Sequence, residues 1–129
     1  MYDILLDTLN FKKTPPKGTL LSWGNNSHNE TSHSNYEKMY LPRMCFKLKE
    51  EEIISIKAGW EFNLALSKDG SIFSWGNNES GQCGLDNSSP VIFNPARIES
   101  LKNVKMISCG NEHALALNEK NEVYSWGRG

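Results

Sequence analysis

Residues 53–76 read IISIKAGWEFNLALSKDGSIFSWG, and residues 104–127 read VKMISCGNEHALALNEKNEVYSWG. Laid over one another at an offset of 51, they place Gly59 on Gly110, Phe62 on His113 and Leu64-Ala65-Leu66 on Leu115-Ala116-Leu117. The frame extends upstream. Ser-Trp-Gly occurs three times, with Trp23, Trp75 and Trp126 spaced 52 and 51 residues apart. The first sits in GTLLSWGNN from Gly18 and the second in GSIFSWGNN from Gly70. So constant a period over so long a match marks one structural unit used repeatedly.

Each unit reads as strands. Ile54, Ile56 and Ala58 alternate with polar neighbours, and Val104, Met106 and Ser108 do so less cleanly. A short apolar run follows, FNLALS or HALALN, and then SIFSW or EVYSW, rich in residues that suit a pleated surface. Between the second and third strands, Lys68-Asp69-Gly70 is a hairpin turn of the Asp-Gly type. Asn121 takes the place of Gly70 in the next unit, and Asn is the non-glycine residue that best accepts positive φ. After Trp75 the chain runs through the glycine-rich NNESGQCGL, with Gly81 and Gly84, into VIFNPARI. Pro90 and Pro95 keep that last segment from being a central strand. Three strands and a proline-marked edge strand at a period near fifty residues predict an all-β fold of propeller blades. Helical solenoids need a 3.6-residue periodicity that these units lack, and leucine-rich repeats are shorter.

These residues give the chain a family resemblance. Trp75-Gly76 with Gly81-Gln82-Cys83-Gly84, then Pro95, Cys109-Gly110 with His113, and Leu115-Ala116-Leu117 resemble the repeat of the regulator of chromosome condensation family. The resemblance runs from about Gly18 to Gly129, about two and a half repeats. It implies β-propeller blades of that type, an incomplete ring within one chain, since the family's seven-bladed ring needs roughly 350 residues. Three departures stand out. The loop after Trp23-Gly24, NNSHNETSHSNYEKMY, has no Gly-Gln-Leu-Gly and reads as a longer polar surface loop. Cys83 stands where Leu is usual. Trp60 and Phe62 replace a small residue and a histidine. Residues 1–17 read as an N-terminal cap or arm, either an amphipathic helix ended by Pro15-Pro16 or a closing strand. Residues 18–129 are the repeats, with unit breaks near Trp23, Trp75 and Trp126.

Composition narrows the function. The hydrophobic share of 38% and charged share of 22% are those of a folded chain, and the net charge of −1 gives no pull towards nucleic acid or anionic lipid. Lys12, Lys13 and Lys17 form only a small basic patch. No apolar run is long enough to span a membrane, and Asp3 and Asp7 break any signal-peptide pattern, which leads to the expectation of a cytoplasmic or nuclear protein. Cys45, Cys83 and Cys109 are an odd set without pair spacing, as suits a reducing compartment. Four glycosylation-type triplets, starting at Asn25, Asn29, Asn78 and Asn87, read as chance in an Asn-rich chain.

No catalytic constellation emerges. His113 has no nucleophile or second ligand at a useful spacing, His28 and His33 lie in a polar loop without cysteine partners, and GNNESGQCG lacks the Gly-Lys-Ser/Thr of a phosphate loop. No metal, cofactor or enzymatic activity is expected. Trp23, Trp75 and Trp126, with Gly59, Gly110, His113, Gly81 and Gly84, read as structural. Chain direction puts the turn 59–62 and the loop 77–84 on one rim and the Asp69-Gly70 turn on the other. Trp60 and Glu61, with Asn111 and Glu112 in the next unit, are therefore the candidate protein contacts. Packing of Trp60 against the first-unit loop is the alternative. The family's members include guanine nucleotide exchange factors for small GTPases such as Ran, chromatin binders, and interaction domains joined to ubiquitin ligases or kinases. The resemblance thus implies a protein-interaction module, with a small GTPase as one candidate partner. The competing expectation is a structural fragment of a larger propeller without activity of its own. Unclosed blades leave apolar faces and strand edges open, so self-association is expected.

Overall fold

The computed structural model describes residues 17–27, 30–32 and 38–129. The cap or arm expected over 1–17 and the lysines at its centre therefore lie outside the described residues, apart from Lys17. Among the described residues nine strands follow in order: β1 (Leu21–Asn25), β2 (Lys38–Met44), β3 (Ile53–Ala58), β4 (Phe62–Ser67), β5 (Ile72–Asn77), β6 (Val91–Arg97), β7 (Val104–Cys109), β8 (His113–Asn118) and β9 (Val123–Gly127). They form three antiparallel sheets, β1-β2, β3-β4-β5-β6 and β7-β8-β9. The middle sheet is a complete four-stranded meander. The flanking sheets carry two strands and three.

Short turns set the pairing. In the middle sheet Phe62 lies opposite Gly76 and Leu66 opposite Ile72, and in the third sheet His113 lies opposite Gly127 and Leu117 opposite Val123. The offset of 51 is thus preserved in strand register. Gly70 and Asn121 hold the same corner of their hairpins, at φ 83° and φ 63°. Pro95 lies in β6, the edge strand of its sheet, where a missing N–H costs no central ladder bond.

Irregularities repeat along with the strands. The ladder shifts between Ser22 and Gly24 against β2, and between Ser74 and Gly76 against β6, so Trp23 and Trp75 each sit at a bulge. A bulge of this kind bends the strand and raises its local twist. A second pair of shifts, between Ile53 and Ser55 and between Val104 and Met106, changes the phase of the first strand of each unit. The simple alternation of Ile54, Ile56 and Ala58 therefore does not mark a core face. Ile53 is buried while Ile54, Ile56 and Ala58 are exposed, and in β7 the buried residues are Val104 and Ile107.

The core lies between the sheets. Phe62, Leu64, Ala65 and Leu66 of β4 with Ile72, Phe73 and Trp75 of β5 form one cluster with Leu20, Cys45 and Leu48 on one side and Val104, Ile107, Ala114 and Ala116 on the other. The middle sheet is covered on both faces. Its second strand is accordingly buried along almost its whole length, whereas β8, with the same Leu-Ala-Leu, leaves Leu115 exposed.

Candidate functional site

Consecutive blades are fastened by their tryptophans. Trp75 is 2% exposed, and its indole N–H donates to the backbone oxygen of Glu30, 2.7 Å away in the loop after β1. Trp126 donates in the same way to the oxygen of Gln82, at 2.9 Å, in the loop after β5. Glu30 and Gln82 are repeat equivalents, so each tryptophan reaches the loop of the preceding unit. Gly84 is required beside this contact: its φ is 66°, and a Cβ there would run into the Trp126 indole. Trp23, the third member of the series, is 59% exposed.

The acceptor loops are built by Asn78, which the sequence marks only as the start of a glycosylation-type triplet, and by Ser74. The Asn78 amide donates to the oxygens of Asn87 (3.1 Å) and Ser89 (2.9 Å), while its Oδ1 accepts from Cys83 N (3.1 Å). Ser74 Oγ clamps the same loop by donating to the Cys83 oxygen at 2.6 Å. The first-unit loop, which reads as divergent, keeps this arrangement: Asn26 Oδ1 accepts from Thr31 N at 2.9 Å, and Ser22 Oγ donates to the Thr31 oxygen at 2.6 Å. Thr31 stands in the place of Cys83. The Gly-Gln-Leu-Gly signature is therefore dispensable for the anchor, and the signal that carries it is Ser-Trp-Gly-Asn-Asn, present in both units. Asn78 is buried and fully engaged, which leaves no room for a glycan there.

The turns on this rim stack across blades. Trp60 N donates to the Asn111 oxygen at 2.8 Å, joining turn 59–61 to turn 110–112. The approach is close enough that a Cβ on Gly59 would meet both the Phe62 ring and the Gly110 oxygen, and Gly110 is filled likewise by the His113 ring. Phe62 is buried between sheets, whereas its repeat equivalent His113 is exposed. Above this seam the Trp60 side chain stands 62% exposed. With Asn111, Glu112, His113, Arg128 and Gly129 it lines an open cleft of about 490 Å³. Arg128 donates to Glu112 Oε2 at 3.1 Å, and Asn77 donates to Glu61 Oε2 at 3.4 Å. Of the four candidate contacts, Trp60, Asn111 and Glu112 line this one cleft, and Glu61 adjoins Trp60 at its edge. Gly81 is an exposed turn residue of the loop after β5.

The cysteines are free thiols. Burial pushes the Cys83 thiol from the ordinary 9.0 up to about 12 and Cys109 up to about 11, and burial also raises Cys45. A thiol held neutral this way stabilises the fold fully below pH 9.0, and that contribution fades as the pH climbs towards about 12. Such thiols are poor nucleophiles at neutral pH. Among the described residues no group of three or more His, Cys, Asp and Glu could hold a metal ion, and no helix is long and apolar enough to cross a membrane.

Family models of the regulator of chromosome condensation (RCC1) repeat match residues 69–117 and residues 53–82, together covering the first aligned unit and the second as far as Leu117. The chain belongs to the RCC1 repeat family. Its blades are RCC1-type propeller blades, and the described sheets do not close a ring. The chain is 35% identical over 116 residues to the ultraviolet-B receptor UVR8 of Arabidopsis thaliana, covering 87% of itself and 26% of UVR8. Human RCC2 is 33% identical over 112 residues, of which the chain spans 22%. Among solved structures it resembles human WBSCR16, with a TM-score of 0.81 and 27% identity, covering 88% of this chain and 29% of that one. The yeast RCC1 protein Prp20 gives a TM-score of 0.73 at 25% identity, covering 86% and 27%. The chain thus spans about a quarter of UVR8, RCC2, WBSCR16 and Prp20.

Proposed function

We propose that the chain is a protein-interaction module that meets its partner with the rim carrying Trp60, Glu61, Asn111 and Glu112. The observation that carries this reading is an exposed tryptophan fixed by its own backbone N–H to the next blade, at the mouth of a cleft. A large aromatic on a rigid turn offers contact area with little ordering cost on binding. The narrower reading is a contribution to guanine nucleotide exchange on a small GTPase. It is supported by kinship with Prp20, whose binding to Gsp1p and to histones has been described. Exchange by protein contact alone needs no catalytic base. The site of action on this reading is the cytoplasm or nucleus. Fluorescent-GDP release from a panel of small GTPases tests it: acceleration by the chain that is lost in Trp60→Ala supports the reading. Equal rates with wild type and variant exclude Trp60 from the contact, and no acceleration of any GTPase removes the exchange role.

A second reading rests on Trp23. Its two equivalents are fastened into a neighbouring unit, while Trp23 itself is largely exposed and Met106, Val123 and Tyr124 are exposed in the third unit. These end faces fit further blades, and copies of the chain would then associate through them. Light scattering over a concentration series should show a mass above the 14.6 kDa of one chain, falling towards it in Trp23→Ala. A constant monomer mass rules this out.

A further inference from the structure

We propose that the Trp60 cleft receives an arginine side chain presented by a basic segment of the partner protein. The inference rests on the rim reading above and adds the chemistry of what is bound. Its first support is charge. Among the described residues, the loops of this rim carry Glu30, Glu61, Glu79, Asp86 and Glu112 against a single basic residue, Arg128. On the opposite rim, Lys47, Lys49, Lys68, Lys102 and Lys120 are interleaved with the acids, and Lys68 pairs with Glu52 at 3.2 Å. Acids outnumber bases on this rim even with Lys38 and Lys57 at the strand ends beside it, which, in a chain whose net charge is only −1, favours a cationic partner on that side.

The second support is the cleft itself. An indole face and a carboxylate side by side are what a guanidinium matches: it stacks on the ring and forks onto the oxygens, which a lysine ammonium does less well. The chain demonstrates half of this chemistry, because Arg128 already donates to Glu112 Oε2 at 3.1 Å within the same cleft. That pair is open to exchange, since the Arg128 side chain is 71% exposed. An incoming arginine would share or take over Glu112 and lay its plane on Trp60, which the turn presents to solvent. The backbone needs no rearrangement, because Trp60 N and Arg128 N are already bonded to the oxygens of Asn111 and Glu112 at 2.8 Å each.

The test uses the whole chain and a Gly/Ser peptide carrying three spaced arginines, with a twin in which citrulline, the neutral isostere, replaces each arginine. Binding is followed by the indole N–H resonances of the four tryptophans, with Trp60 assigned from Trp60→Phe. The arginine peptide should shift the Trp60 resonance saturably and bind at least about tenfold tighter than its twin. Trp60→Ala and Glu112→Gln, both at the surface, should each weaken binding about tenfold with unchanged thermal melts. Equal binding of the citrulline twin, unaltered binding by either variant, or shifts confined to the indoles of Trp23, Trp75 and Trp126 would overturn the assignment. If the arginine peptide fails while Trp60→Ala still abolishes GTPase action, the rim reading stands and only the arginine is wrong. If the arginine peptide fails and no GTPase responds, the arginine and the exchange role fall together.

Discussion

Trp75→Ala is expected to destabilise the fold by about 3–5 kcal/mol, the cost of emptying a buried aromatic site in a packed core. The indole is almost wholly enclosed between the first and middle sheets, and its N–H is spent on the Glu30 oxygen. Truncation therefore opens a cavity and also strands an acceptor at the seam. Domains of this size hold only about 5–15 kcal/mol in total, so the variant will unfold at low urea or fail to accumulate. Trp75→Phe keeps much of the apolar volume while losing the donor, and a midpoint between wild type and alanine keeps the comparison readable. Trp23→Ala is the internal control. The same residue in the same motif is exposed, and its loss should change stability by about 0.5 kcal/mol or less in the monomer. Equal losses at the two positions in urea titrations would refute the assignment of Trp75 as the bolt between blades.

That contrast shows what the amino-acid pattern could and could not reveal. The repeat frame made the three tryptophans equivalent; all three lie in matching strands, and Ser22-Trp23-Gly24 and Ser74-Trp75-Gly76 also carry the same ladder shift. Burial is different because it belongs to the neighbours. FNLALS and HALALN are near copies, yet among the described residues β4 lies between two sheets and β8 has a sheet on one side only. The same physics misleads at Ile54 and Ile56. Ile56 is 46% exposed while its repeat equivalent Ile107, after the same ladder shift, is 2% exposed, so its exposure too is set by what packs beside the strand.

The rim was legible in a different way. Antiparallel strand order alone fixes which turns share an edge, so Trp60, Glu61, Asn111 and Glu112 could be grouped from connectivity. The role of Arg128 could not. It lies beyond the last strand, and only the three-dimensional return of β9 alongside β8 sets its guanidinium on Glu112.

Asn78→Ala should cost about 2–4 kcal/mol, more than its small volume suggests, since one amide satisfies three backbone groups whose loss leaves each without its partner. Cys83 N, Asn87 O and Ser89 O would all lose their partner together. Water can reach part of the loop, which keeps the loss below the sum of three fully buried groups. The consequence extends beyond the loop, because Gln82 supplies the oxygen that holds Trp126. Loosening this segment should therefore speed amide exchange at Cys83 and, at the same time, increase solvent quenching of Trp126 in the third sheet. Asn78→Asp sharpens the point: it retains an acceptor for Cys83 N but sets a carboxylate against two carbonyl oxygens, so it should be no milder than alanine. A variant with wild-type urea midpoint and unchanged Cys83 exchange would mean that the Ser74 hydroxyl, bonded to the Cys83 oxygen at 2.6 Å, holds the loop without help. The expected coupled response would instead identify Ser-Trp-Gly-Asn-Asn as one mechanical unit, in which the tryptophan of each blade is only as secure as the asparagine of the blade before it.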